Sequence, residues 1–387
     1  MSTAVQDFRE SGPRLLRLDP LLLLATLGLV VASVYTVRRA TLGDFAGDPN
    51  YYMYRQLIYI GVGLVLMFAL SRFDYSRLRE WKLGVYAFMI VSILLVYALG
   101  FSARGSRRAI EFGIVNFQAS ELGKLLLVVA LAAFTVDRAR RLDDRETTSR
   151  IVLLALIPAM LVIAQPDLGS GLVYLAIVLA VLFVAGTKWT HFAALGALGV
   201  TAIVVVLLAA PAVGVEVLKP YQVDRLTAFL NPTDDTTQKE GYQINQSLTA
   251  IGSGGKTGRG DESTQTKLNF LPEHHTDFIF SVVGEEFGFV GAALVLSLFA
   301  LLIWRALRIL TMSKNFYGAL VAGGITAMLM FQVFVNVGMT IGIMPITGIP
   351  LPLMSYGGSS VLTTLMAIGL LQSIHAQARE TAVAKGL

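Results

Sequence analysis

The chain has 387 residues, of which 55% are hydrophobic and only 15% charged, with mean hydropathy +0.66 and a formal net charge of +5. A soluble domain carries about 25% charged residues, so a soluble globular enzyme is excluded and a polytopic membrane protein is indicated. The absence of cysteine excludes disulfides, thiolate nucleophiles and cysteine metal sites, and basic residues placed in the loops between apolar runs read as an orientation signal rather than a nucleic-acid footprint.

Measured against the roughly 20 residues that cross a bilayer, the apolar runs are Pro20–Val37, Gln56–Leu70, Trp81–Gly100, Phe117–Val136, Ile151–Ala164, Leu168–Gly186, Phe192–Ala210, Phe287–Ile309, Gly318–Ile343 and Ser360–His375. The expected fold class is therefore all-α: a single transmembrane domain over residues 1–387, with about ten spanning helices and one large extracellular loop at about 214–276. Arg9, Arg14 and Arg17 before the first run imitate a signal peptide, but the many later spans favour a retained helix. Arg72, Arg77, Arg79 and Lys82, the group from Arg138 to Arg150, Lys188, Arg305, Arg308, Lys314, Arg379 and Lys385 collect on one side. The other side's short loops carry only Arg38, Arg39, Arg55, Arg104, Arg107 and Arg108. That asymmetry puts both termini in the cytoplasm and the long loop outside. Short helices are expected within it at Val223–Phe229 and Tyr242–Ile251. No inverted hydropathy repeat of the kind that marks many transporters stands out.

Four polar clusters fall on or near the outer half. Arg107 and Arg108, with Arg104, precede the fourth run; adjacent guanidinium groups suit a phosphate or pyrophosphate, or equally snorkel to lipid headgroups. In Gln118-Ala-Ser120-Glu121-Leu-Gly-Lys124, Glu121 and Lys124 stand three apart and share a helix face. So close to hydrocarbon, such a pair either faces a polar cavity or pins neighbouring helices. Gln165-Pro166-Asp167 lies between the fifth and sixth runs, where proline breaks a helix and Asp167 caps the next, with a part in the site as its second reading.

The fourth cluster is Phe270–Gly291, FLPEHHTDFIFSVVGEEFGFVG, which packs Glu273, His274, His275, Asp277, Glu285 and Glu286 into a few turns. A carboxylate lowered into a membrane edge is costly and marks a functional site by default. Asp277 there would serve as a general base if burial raised its pKa. The plainer alternative is that Thr276 or Asp277 caps the following helix. His274 and His275 invite a metal reading with Glu273 or Asp277, although ligands normally converge from spaced positions. Glu285 or Glu286 is expected to cap or pair inside the bundle. Gly252–Gly260 imitates a phosphate loop but lacks the Walker spacing and reads as a flexible turn. Asn245-Gln-Ser247 is formally a glycosylation acceptor of low specificity.

Three long runs, GYQINQSLTAIGSGG, the Phe270–Gly291 stretch and NVGMTIGIMPITGIPLPLMSYGGSS at Asn336–Ser360, resemble the SEDS family (shape, elongation, division and sporulation) of RodA, FtsW and SpoVE. The resemblance covers the chain from the first span to about His375, and its wording is nearer the RodA branch. It implies a ten-helix, inverting peptidoglycan glycosyltransferase that polymerises lipid II, releases undecaprenyl pyrophosphate and works with a class B penicillin-binding protein in the bacterial plasma membrane. The family's key acid maps onto Asp277, and its Ser-Glu-x-x-Lys pattern onto Ser120, Glu121 and Lys124. Three departures stand out: Ala119 for the usual proline, Ala109 where tryptophan often follows arginine, and Asp261 with Glu262 where small residues are common. The expected catalytic set is Asp277, Glu121 and Lys124; substrate contacts are assigned to Arg107, Arg108, Ser120, Asp167 and Glu273. No cofactor is required by the sequence, and a divalent cation, Mg or Mn, is left open. A lipid II flippase is the alternative, since charged groups in a bundle also suit a headgroup pathway.

Overall fold

Each apolar run of the sequence is helical over most of its described residues, because only a helix satisfies its own backbone in hydrocarbon. A computed structural model describes residues 18–42, 48–99, 101–103, 106–112, 115–206, 238–266, 268 and 270–384. Its helices are α1 (Pro20–Ala40), α2 (Tyr51–Arg72), the short α3 (Arg77–Glu80), α4 (Lys82–Leu99), α5 (Ala119–Val136), α6 (Arg145–Ala164), α7 (Leu168–Val184), α8 (Trp189–Val204), α9 (Gln238–Ser253), α10 (Ile279–Met312), α11 (Phe316–Thr340) and α12 (Gly358–Ala384). Among the described residues, eight of these are long and apolar enough to cross a membrane, while α7 and α8 are apolar but shorter. The protein is a multi-pass membrane protein.

One local departure from an all-helical chain is a small antiparallel sheet, β1 (Phe101–Ala103), β2 (Ser106–Phe112) and β3 (Val115–Phe117), in that order between α4 and α5. Ser102 pairs with Arg107, and Ile110 with Phe117. Of the expected loop helices, Tyr242–Ile251 lies within α9, while Val223–Phe229 lies outside the described residues.

α5 is the central helix: its buried positions run from Ala119 to Thr135 almost without a break, and it packs on α4, α7 and α11. Around it, α12 lies along α2, and α10 lies between α1 and α11. The end of the bundle away from Asp277 is stapled at Asp19, which is fully buried. Asp19 caps α1 through the Leu22 amide and pairs with Arg305 of α10, while its backbone exchanges hydrogen bonds with Gln372 of α12.

α10 has 34 residues, about 51 Å at 1.5 Å per residue, far more than the roughly 30 Å of hydrocarbon. It is broken at Gly288, whose φ of 63° and ψ of −159° are not helical, so residues 289–312 form the spanning part. The break costs the helix its local bonds, and the Gly252–Gly260 segment replaces them. Phe289 N donates to Gly255 O at 2.9 Å and Val290 N to Lys256 O at 3.1 Å. In the other direction, Arg259 N donates to Glu285 O at 2.8 Å. The segment expected as a flexible turn is thus a packed clasp. Its backbone lies so near the break that a Cβ at Gly288 would meet Lys256 C and Thr257 N at 2.7 Å.

Candidate active site

The start of α10 is preceded by an irregular stretch that carries Glu273–Phe278. A small apolar cluster of Ile244, Leu271, Phe278 and Ile346 fixes it beneath α9 and the loop that follows α11. Glu273 adopts φ 55°, and its carbonyl accepts the amides of Thr276, Asp277 and Phe278 in one tight turn. Thr276 Oγ1 donates to Glu273 Oε2 at 3.0 Å. The helix begins after Phe278 with no side-chain cap, so Thr276 is not its N-cap.

Asp277 is half-buried, and the backbone around it is held from two sides. Asn336 Nδ2, fully buried in α11, donates to Asp277 O at 2.9 Å and to Ile349 O at 2.8 Å. Ser355 Oγ donates to Thr276 O at 2.6 Å, and Tyr356 N to His275 O at 2.9 Å. These bonds fix the backbone from which the Asp277 side chain projects.

Each of the two histidines is taken up by contacts within the protein. Buried His274 faces Leu271 O through Nδ1 and Ala40 O through Nε2, both at 2.9 Å, so neither nitrogen aims a lone pair at an ion. His275 packs its ring against Tyr52 and Tyr356 at 5.2 and 5.8 Å. Among the described residues no three His, Cys, Asp or Glu side chains converge as metal ligands. Glu285 and Glu286 are structural. Glu285 accepts the amides of Thr264, Gln265 and Thr266 and the Thr266 hydroxyl. Glu286 accepts from Arg39 and Ser263, and Arg39 also pairs with Asp261 at 2.6 Å. Ser247 is buried against Ser281 and Thr340 O, which closes the glycosylation pattern.

The second group sits where α5 and α7 begin. Asp167 caps α7, its Oδ1 accepting Ser170 N at 3.1 Å. Its Oδ2 accepts Ser120 Oγ at 2.9 Å and Gln118 Nε2 at 3.1 Å, so one carboxylate both caps a helix and joins two. Glu121 and Lys124 pair at 2.6 Å within α5 and are almost completely buried. Tyr174 of α7 donates to Ser120 O at 3.1 Å. Its hydroxyl occupies the space that any Cβ at Gly123 would take.

The loop after α11 joins the two groups. Asn336, in α11 ahead of it, and Ser355 and Tyr356, near its end, make the bonds to residues 275–277. Just past the loop's end, in the first turn of α12, Ser359 Oγ accepts Gln118 N and donates to Asn116 O, both at 2.8 Å. Near the loop's middle, Thr347 and Ile349 press so closely on Gly169 of α7 that a Cβ there would meet Thr347 O at 2.6 Å. The stretch that carries Asp277 and the helix that carries the buried ion pair are thus both bonded to the uncharged run Asn336–Ser360.

A family model described as a cell cycle protein and named for FtsW, RodA and SpoVE matches residues 15–380. The chain belongs to the FtsW/RodA/SpoVE family. It is 37% identical over 375 residues to stage V sporulation protein E of Bacillus subtilis, covering 96% of this chain and 99% of that one. It is 37% identical over 361 residues to peptidoglycan glycosyltransferase MrdB of Escherichia coli, covering 92% and 93%. Among solved structures, a chain described under structural coordination of polymerization and crosslinking by a peptidoglycan synthase complex is 34% identical, with a TM-score of 0.76 and coverage of 92% and 97%.

On this FtsW/RodA/SpoVE member, Ser120 and Asp167 are in direct contact, Glu121 pairs with Lys124, and Glu273 is bonded to Thr276 beside Asp277. Arg107 and Arg108 lie in β2, and their side chains lie outside the described residues. Sequence reasoning missed Asn336, Ser355 and Ser359 as individuals, although all lie in the uncharged run Asn336–Ser360. The signal available was a polar amide and several hydroxyls in a Gly- and Pro-rich stretch without a helical period, since buried polar groups must find partners.

Proposed function

We propose that the chain is a peptidoglycan glycosyltransferase that polymerises lipid II at the outer face of the bacterial plasma membrane, with both termini in the cytoplasm. The observation that carries this reading is Asp277, a half-buried carboxylate on a backbone clamped through Asn336 and Ser355, in a chain whose relatives include a named peptidoglycan glycosyltransferase. An elongation role is supported by the RodA-like wording of the Ala250–Gly255 and Gly338–Pro352 stretches.

Asp277 accepts the proton of the acceptor sugar hydroxyl as its oxygen attacks the donor's anomeric carbon. The new C–O bond forms as the bond to the pyrophosphate oxygen breaks. Undecaprenyl pyrophosphate leaves with the electron pair, and direct displacement inverts the anomeric centre. Arg107 and Arg108 are assigned to the leaving pyrophosphate, where guanidinium forks suit phosphate oxygens. Lys124, only 1% exposed, acts through its field and through its grip on Glu121. Ser120 and Asp167 shape the adjoining wall. A Mg or Mn ion, where bound, would neutralise charge on the leaving pyrophosphate. A class B penicillin-binding protein is the proposed partner.

The test is polymerisation of externally supplied lipid II by the purified protein. Asp277→Asn is expected to fold and to lose about 100- to 10,000-fold in rate, the usual worth of a positioned base. An unimpaired variant overturns the base assignment. A wild type that only moves labelled lipid between leaflets overturns the polymerase in favour of a flippase, and loss of activity with chelator supports a divalent cation.

A further inference from the structure

The far end of the bundle carries cations that sugar chemistry does not use. α2 begins beside His275, through Tyr52, and ends 22 residues later at Arg72, about 33 Å away at helical rise. Arg72 lines a hollow of about 420 Å³, within the roughly 300–1,000 Å³ of small-ligand sites. Its walls are the ends of spans: Leu18 before α1, Arg72 and Phe73 at the end of α2, Lys314 after α10, and Gln377 and Glu380 near the end of α12. Lipid phosphates lie at that level, and basic pockets between helix ends are where anionic headgroups bind.

Three cations near the hollow are already paired. Arg79 and Lys82 both pair with Asp137, and Arg305 with Asp19. Arg72 and Arg77 face the hollow, are exposed, and have no ion pair or side-chain hydrogen bond among the described residues. Lys314 is held in place by Gln377. Of the two carboxylates in the lining, Asp74 accepts Ser76 N at 3.0 Å, and Glu380 is also engaged within the protein. Three cations (Arg72, Arg77 and Lys314) against Asp74 and Glu380 leave one net positive charge, which matches a monoanion rather than a polyphosphate. Leu18 and Phe73 give it an apolar edge, suited to the root of acyl chains.

We propose that this hollow binds the headgroup of a monoanionic phosphodiester lipid of the phosphatidylglycerol type, with Arg72 and Arg77 on the phosphate. The site lies in the leaflet opposite Asp277 and is independent of the reaction proposed there. Two forked donors on one phosphate give geometry as well as charge.

The test is lipid retention by the purified full chain in neutral detergent, followed by native mass spectrometry. Phosphatidylglycerol, phosphatidylethanolamine, and the soluble headgroup glycerophosphoglycerol with inorganic phosphate form separate arms. Phosphatidylglycerol is expected to bind about tenfold or more tightly than phosphatidylethanolamine, and Arg72→Gln/Arg77→Gln to erase that preference, at about 1 kcal/mol per basic residue. Arg72→Lys/Arg77→Lys keeps the charge, tests the fork if the glutamine pair fails to fold, and is expected to bind at an intermediate level. Equal binding of the two lipids overturns the proposal, as does a preference that survives both variants. Competition by the soluble anions as strong as by the lipid also overturns it and points to a soluble phosphate ligand.

Discussion

Lys124 Nζ lies 2.6 Å from Glu121 Oε1 in the first turns of the deeply buried α5, and both side chains are sealed from solvent. A buried pair gains little net stability over apolar residues of the same size, but stripping one partner leaves a stranded charge at about 3–5 kcal/mol. Lys124→Met is therefore expected to lower the thermal midpoint sharply, and Glu121→Gln/Lys124→Met to regain most of it. If the pair serves the reaction, the double variant remains nearly inactive in glycan synthesis despite its restored fold. A double variant that regains both stability and rate would reduce the pair to a helix pin.

Gly288 makes a sharper claim about folding. Its backbone lies in a region open essentially to glycine alone, worth about 1–3 kcal/mol of strain for other residues, and a Cβ would strike the Gly252–Gly260 clasp. Gly288→Ala should cost more than about 3 kcal/mol once the overlap with backbone is added. Gly252→Ala, in the last turn of α9 with nothing near its Cβ position, should instead be neutral or gain up to about 1 kcal/mol from helix propensity. Thermal unfolding of both in one detergent decides the point. Equal shifts would mean that the break in α10 is not what the clasp holds.

These two glycines show what the chain discloses by itself. The spans were legible because about 20 apolar residues leave a helix as the only solution. The cap at Asp167 was legible because Pro166 and the following apolar run fix where α7 must start. Glu121 with Lys124 needed only the three-residue spacing. The clasp was not legible, since the acceptors of Phe289 N and Val290 N lie more than 30 residues earlier in the chain, and no local pattern encodes a backbone bond between distant segments. The same is true of Asn336, which reads as one amide in an apolar helix until its two carbonyl partners, Asp277 O and Ile349 O, come together in space.

Asn336 tests whether the direction of Asp277 matters. Asn336→Leu keeps the volume but leaves the buried Ile349 carbonyl and the part-buried Asp277 carbonyl without their donor, about 1–3 kcal/mol for the buried one. The expected result is a folded but less stable protein whose polymerisation rate falls, though by less than with Asp277→Asn, because the proposed base is still present and only its backbone support is lost. Asn336→Gln, which retains the donor on a longer arm, should recover part of the stability and little of the rate. A wild-type rate for Asn336→Leu would show that the Asp277 carboxylate finds its position without this clamp.

Asp19 gives a pH dependence with a definite sign. Burial pushes its carboxyl pKa up, but the Arg305 guanidinium and the Leu22 amide more than offset that, and the net shift is down. The ordinary unfolded value is about 3.9. A carboxylate whose folded pKa lies below its unfolded one contributes stability that is present above the unfolded value and lost as pH falls through the folded value. Asp19→Asn keeps a cap-competent side chain and removes the charge, leaving Arg305 partly buried without its partner. The thermal midpoint of the wild type should therefore exceed that of Asp19→Asn by a constant margin from about pH 5 upward, and the margin should narrow once the pH drops below about 4. A gap that stays constant down to pH 2 would mean that the ionised form of Asp19 is not what ties α1 to α10 and α12.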